Sequence, residues 1–195
     1  MEVSFETEIK GSGTAGTAPE IGALLRACGM SETIVGATSV TYKPVSSGYE
    51  SCTIYFHRHD LKHILLGCMG DVNFTLESGK YGVAKFTFQG LYRSPQDQSM
   101  PTVVAYNAQL PPTVRNATFT VDSYAAQISR IEMGLNNALA RHDDITTSGG
   151  IGDIFIVGRG SAGSFDPEVV ALTTYDYWAK FDAQSQLAIS CAIGS

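Results

Sequence analysis

No run in this 195-residue sequence comes near the roughly 18 consecutive apolar residues that a membrane-spanning helix needs. The opening Met1-Glu2-Val3-Ser4-Phe5-Glu6 has neither the basic start nor the apolar stretch of a signal peptide, so synthesis and retention in a cytoplasm are expected. A cationic surplus is missing too, with 13 Lys and Arg against 19 Asp and Glu and a formal net charge of −6. Tight binding of a phosphate backbone needs clustered positive charge, so that function is disfavoured, whereas DNA sliding past without sticking is not. Cys28, Cys52, Cys68 and Cys191 contain no CxxC and no short pairing. That argues against a disulfide framework and a zinc knuckle, and leaves buried free thiols as the expectation. No metal or other cofactor is expected.

What is present favours strands. Charged residues make up 16% of the chain against 44% hydrophobic, with 20 Gly, 9 Tyr and 9 Phe, which suits a packed chain of strands and turns. The length fits one domain over residues 1–195. Alternation is clearest in Asp71-Val72-Asn73-Phe74-Thr75-Leu76-Glu77, which puts Val72, Phe74 and Leu76 on one face and Asp71, Asn73, Thr75 and Glu77 on the other. Ser78 to Gly82 supplies turn chemistry, and Ala84 to Gln89 returns with the same period, predicting a hairpin with one wet face. Near the start, Val3, Phe5 and Ile9 interleave with Glu2, Ser4, Glu6 and Glu8 as a third such strand. Thr53–Phe56 and Ile64–Leu66 predict another hairpin, turning through Arg58-His59-Asp60. Further short strands are expected in Thr118–Val121, Ile128–Leu135, Asp153–Val157 and Gln186–Ile193, so the class is mainly β.

Two helices interrupt this pattern. Pro19 to Cys28 carries Pro near its start and Gly29 just past its end, with Ile21, Leu24, Leu25 and Cys28 on one stripe for packing. Thr174 to Phe181 predicts a short second helix, capped by Thr173 or Thr174, with Tyr175, Trp178 and Phe181 turned inward. Between Arg93 and Ala117, Pro95, Pro101, Pro111 and Pro112 forbid continuous pairing. A long surface loop is expected there, with an edge strand at Thr102–Tyr106.

Several motifs resemble chemistry without its context. Gly11-Ser12-Gly13-Thr14-Ala15-Gly16 matches GxGxxG, but Glu2, Glu6 and Glu8 punctuate the preceding strand, whereas a dinucleotide fold needs a strand buried on both faces. A glycine linker fits better. His57, His59 and His63 with Asp60 have the residue types of a metal site, but the turn between them breaks convergence and solvated hairpin histidines are the plainer reading. Ser161 lacks a nucleophile elbow, because Arg159 stands where that motif needs Gly. Arg141-His142-Asp143-Asp144 has the residues of a general base with orienting carboxylates, yet such a polar run is more often an exposed loop.

Longer stretches carry a resemblance. Gly11-Ser12-Gly13-Thr14-Ala15-Gly16-Thr17-Ala18-Pro19, followed by Leu24-Leu25-Arg26-Ala27-Cys28-Gly29-Met30, resembles tail tube proteins of bacteriophages with long, non-contractile tails. Ser39 to Ser47, Glu50 to Phe56, Leu66 to Gly70 and Phe86 to Tyr92 continue it in order, and Gly163 to Glu168 and Tyr175 to Trp178 extend it. One departure is the hairpin tip His59-Asp60, where that family usually has Gly. The resemblance implies an antiparallel β-sandwich or barrel with one flanking helix, and hexameric rings whose inward strands join into one barrel. Rings then stack into a tube, with other tail proteins as partners and DNA passing through the lumen. Under that reading Glu2, Ser4, Glu6, Glu8, Asp71, Asn73, Thr75 and Glu77 are expected to face the lumen, while Ile21, Leu24 and Leu25 pack the helix. The alternatives are a virion binding module for decoration or host attachment, using the Arg93–Ala117 loop, and a small enzyme using His142 and Asp143.

Overall fold

The computed structural model describes residues 1–147 and 149–194. In chain order they form β1 (Glu2–Glu8), α1 (Gly22–Ala27), β2 (Met30–Val35), β3 (Ser39–Pro44), β4 (Cys52–Arg58), β5 (Leu61–Glu77), β6 (Val83–Asp97) and β7 (Thr118–Val121). There follow β8 (Tyr124–Ala125), β9 (Ile128–Gly134), β10 (Asn137–Asp143), β11 (Ile151–Arg159), β12 (Ala162–Pro167), α2 (Tyr177–Asp182) and β13 (Ile189–Ala192). The fold is mainly β and antiparallel, a sandwich with a flanking helix. Its principal sheet has the order β1-β6-β5-β9-β12, with β4 added to the first half of β5.

The alternation of β6 shows why this sheet has two unlike faces. Ala84, Phe86 and Phe88 are fully buried, whereas the intervening Lys85 is exposed and Thr87 and Gln89 are half-buried. A period of two leaves one side to bury apolar surface and the other to meet water. On the buried side Phe5, Phe86 and Phe88 pack with ring centroids 5.7 to 6.1 Å apart, and Val72 packs in the same cluster. The β10–β11 hairpin, α1 and the β2–β3 hairpin form the covering layer, with Ile154 and Ile156 of β11 buried.

A bulge lets β5 run through 17 residues. Its register slips between Leu66 and Met69 against β6, and the opposite register slips beside it between Cys52 and Ile54 on β4. Gly67 sits there at φ +57°, a conformation costly for residues with a Cβ. Pro95 falls in the second slip of β6, where the missing N–H is tolerated. Cys52 and Cys68 face each other across this bulge, and Cys28 and Cys68 are fully buried, with burial pushing the Cys28 thiol up.

Helix α1 is shorter than the Pro19–Cys28 span expected from its stripe. Gly29 follows at φ +77°, ending the helix where only glycine is comfortable. A second cluster of Phe119, Val121, Ala126 and Ile131 lies at the β9–β12 end, where β13 and β8 flank β7. Four sequence expectations are corrected. The second helix starts at Tyr177 and its cap is Asp176, which accepts from Ala179 N at 2.9 Å, because a carboxylate reaches the free N–H groups of that turn. Trp178 and Phe181 point outward, 73% and 77% exposed. Arg141, His142 and Asp143 belong to strand β10, since β11 supplies their hydrogen bonds. Thr102–Tyr106 forms no strand, while β6 runs on to Asp97, so the excursion is residues 98–117.

Candidate assembly surface

The polar face of the principal sheet can be read across its strands from the pairing register. Ser4 lies opposite Thr87, which lies opposite Asp71. Glu6 lies opposite Lys85, which faces Asn73, and Asn73 faces Gly134. Thr75 faces Glu132, and Glu132 faces Ser164. Glu77 faces Arg130. Residues directly opposite one another share a face. The rows Glu2, Ser4, Glu6, Glu8 and Asp71, Asn73, Thr75, Glu77 therefore lie on one surface, separated by Gln89, Thr87 and Lys85 of β6. Glu132, Arg130 and Ser164 extend it on the other side. The alternation of β9 held that signal, but β12, with Ala162, Gly163 and Ser164, has too little apolar pattern to announce itself as a strand.

Several of these groups are tied to neighbours. Ser4 Oγ and Thr87 Oγ1 are 3.0 Å apart, and Gln89 Nε2 donates to Glu2 Oε2 at 3.4 Å. Lys10 Nζ pairs with Glu8 Oε1 at 2.8 Å and Lys80 Nζ with Glu77 Oε1 at 2.8 Å. The hydrogen bond and charge of Lys80 hold the Glu77 carboxyl below its usual range. Asp71 Oδ1 accepts from the backbone N of Asn137 at 2.9 Å, so this carboxylate is also a structural tie to the covering layer. The carboxylates of the face, Glu2, Glu6, Glu8, Asp71, Glu77 and Glu132, are offset in part by Lys85 and Arg130 and by the ion-paired Lys10 and Lys80, which leaves a modest negative excess.

The path β1-β6-β5-β9-β12 ends in two edge strands, and β4 adds a further edge beside the first half of β5. Neither β1 nor β12 has a further strand partner among the described residues. Every adjacent pair along β1-β6-β5-β9-β12 is antiparallel. With an odd number of alternating strands, β1 and β12 run in the same direction. Asp166 secures the β12 edge, accepting from Ser129 N at 3.0 Å and Arg130 N at 2.7 Å. The Ser129 hydroxyl, and after it those backbone bonds, hold its carboxyl below the usual range.

On the buried side, Leu25 is 6% exposed and lies in the main core cluster, with Ile21 and Leu24 packed against it. The other motifs land apart from one another. His57 lies opposite Lys62 and His63 opposite Phe56, which puts the two imidazoles on opposite faces of the β4–β5 hairpin. His142 lies opposite Asp153, and its neighbour Arg141 pairs with Asp143 at 3.0 Å. In the glycine-rich loop Ser12 Oγ donates to Thr14 O or Thr17 O, both at 2.9 Å, and Lys10 and Asn107 tie the loop to the 98–117 excursion. In that excursion Val103, Tyr106 and Leu110 are 84% to 88% exposed.

Compared with known protein families, the chain matches the family model described as phage tail tube protein over residues 2–195. No curated protein matches it.

Proposed function

The chain belongs to the phage tail tube protein family, and on that premise we propose that the β1 and β12 edges of its principal sheet join copies into hexameric rings that stack around a DNA channel. It is a structural protein of the virion tail. The observation that carries the ring reading is that β1 and β12, at opposite ends of a sheet with one polar face, both lack an outer strand partner among the described residues. Unpaired edges invite pairing with another chain, and closure into a barrel removes them. Because β1 and β12 run the same way, the seam between neighbouring copies in a ring is parallel, with evenly spaced slanted hydrogen bonds. Each copy acts as one domain.

With the polar face turned inward, Glu2, Ser4, Glu6, Glu8, Asp71, Asn73, Thr75 and Glu77 line the lumen together with Glu132. Repeated around each ring, their negative excess repels the phosphate backbone, so DNA passes without adhering. Assembly takes place in the host bacterial cytoplasm, and other tail proteins meet the ends of the tube.

A second reading, a binding module of the virion, rests on the exposed Val103, Tyr106 and Leu110 of the 98–117 excursion. Negative-stain electron microscopy of the purified protein over a range of concentrations separates the two. Rings or tubes of uniform diameter support the tube subunit. A monomer at every concentration that binds a glycan through this excursion replaces it with the module.

A further inference from the structure

The β1 and β12 edges of the principal sheet differ on the buried side as well. One row crosses the sheet there: Ile9 N donates to Gly82 O at 2.8 Å, Gly82 sits against Leu76, Leu76 pairs with Ile131, and Ile131 pairs with Phe165. At the Ile9 end of this row an open groove of 540 Å³ lies beneath the glycine-rich loop. Its lining is mainly apolar and includes Ile9, Ile21, Leu25, Val40, Tyr42 and Phe74. At the Phe165 end stand the second cluster and α2, since Phe165 and Tyr175 pack in the same cluster.

Helix α2 presents a fixed apolar knob. Trp178 and Phe181 are three residues apart, hence on one helix face, and both are mostly exposed. The helix beneath them is held by the Asp176 cap, by Lys180 Nζ on Asp122 at 2.6 Å and by Tyr175 stacked on Tyr124 at 4.7 Å. A copy cannot fill its own groove with this knob, because four strand spacings of about 4.8 Å separate the two edges, roughly 19 Å. A neighbour placed edge to edge sets the β12 side of one copy, where α2 stands, against the β1 side of the next, where the groove lies.

We infer that Trp178 and Phe181 of one copy dock into the groove beneath the glycine-rich loop of the next copy in the ring, an inference that rests on the edge-paired ring proposed above. A patch and a pocket at different places on one molecule make a head-to-tail contact, the kind that closes a ring. The glycine-rich loop then serves as the wall of the receiving groove. Aromatic anchors seated in a pocket are the residues that dominate interface energetics.

Trp178 is the only tryptophan in the chain, so its fluorescence reports this contact directly. On assembly its emission should move to the blue and its quenching by acrylamide should fall, already in single rings. Phe181→Glu and Thr38→Arg, one on the knob and one on the groove wall, should each raise the concentration needed for rings by about tenfold or more. Both substitutions lie at exposed positions and should leave the monomer's circular dichroism and melting unchanged. Rings in which Trp178 stays as quenchable as in the monomer overturn this contact and leave the edge-paired ring standing. Shielding that begins only when rings stack overturns it too, by moving the knob to an interface between rings. No assembly at any concentration overturns the ring and the contact together.

Discussion

Arg159 Nε donates a hydrogen bond of 2.9 Å to Asn137 Oδ1, and this pair knots three elements of the molecule. The Arg159 guanidinium also reaches Val45 O at 3.2 Å and Gly29 O at 3.0 Å. The Asn137 amide donates to Cys28 O at 2.7 Å and Gly70 O at 3.0 Å. The end of α1, the bulged part of β5 and the β10–β11 hairpin are thereby fixed to one another. Removing either side chain strands half-buried carbonyls, so Arg159→Ala or Asn137→Ala should each lower stability by about 2 to 3 kcal/mol in urea unfolding. The double substitution should cost less than the sum, because each loss already breaks their shared bond. Arg159→Lys should not restore the network, since an ammonium lacks the planar fork that reaches three acceptors.

Leu25 seals α1 onto the sheet, and Leu25→Ala should cost about 2 to 5 kcal/mol by chemical denaturation, through lost transfer energy and the cavity left behind. Leu24→Ala should cost less, because Leu24 is partly exposed at the margin of the same cluster. Equal losses at the two positions would mean that α1 is not docked by its Leu25 face.

Acid should loosen the β12 edge. The folded-state pKa of Asp166 is depressed, so its bonds to Ser129 and Arg130 contribute stability above the ordinary aspartate range, and this is lost as pH falls through the folded value. The protection of the amides around Ser129 and Arg130, taken relative to their intrinsic exchange rate at each pH, should therefore fall below about pH 4. Asp166→Asn should show faster exchange there at neutral pH and a flatter acid dependence. An edge equally protected in both proteins at every pH would remove Asp166 from this role.

The lumen charge is best tested at Glu2 and Glu6. Both are exposed, whereas Asp71 is committed to Asn137 N and Glu8 to Lys10. Glu2→Lys with Glu6→Lys should leave folding intact and make assembled tubes retain DNA in a salt-dependent way, measured by co-sedimentation. Tubes that retain no more DNA than the unsubstituted protein would place this face away from the channel.

Much of this molecule is legible where a strand carries its own apolar row. Val72, Phe74 and Leu76, and Phe86 and Phe88, announce the β5–β6 hairpin because alternation alone says which side is buried. The β2–β3 hairpin and β12 are not announced. Glu32 and Thr33, or Gly163 and Ser164, become strand through partners supplied elsewhere in the chain, since β pairing depends on tertiary context. The outward turn of Trp178 and Phe181 reverses the usual meaning of large aromatics, which bury when the subunit is complete in itself. The polar rows were visible strand by strand, but their union into one surface required the register.

Cryo-electron microscopy of tubes grown from the purified protein, at a resolution that traces strands, addresses the proposed assembly most directly. The expected result is a ring in which β1 of each copy lies parallel and hydrogen-bonded beside β12 of the next, with Glu2 and Glu6 pointing into the channel. Rings in which β1 and β12 of neighbouring copies are not adjacent, or in which Phe86 and Phe88 rather than Glu6 and Lys85 face the channel side, would contradict it.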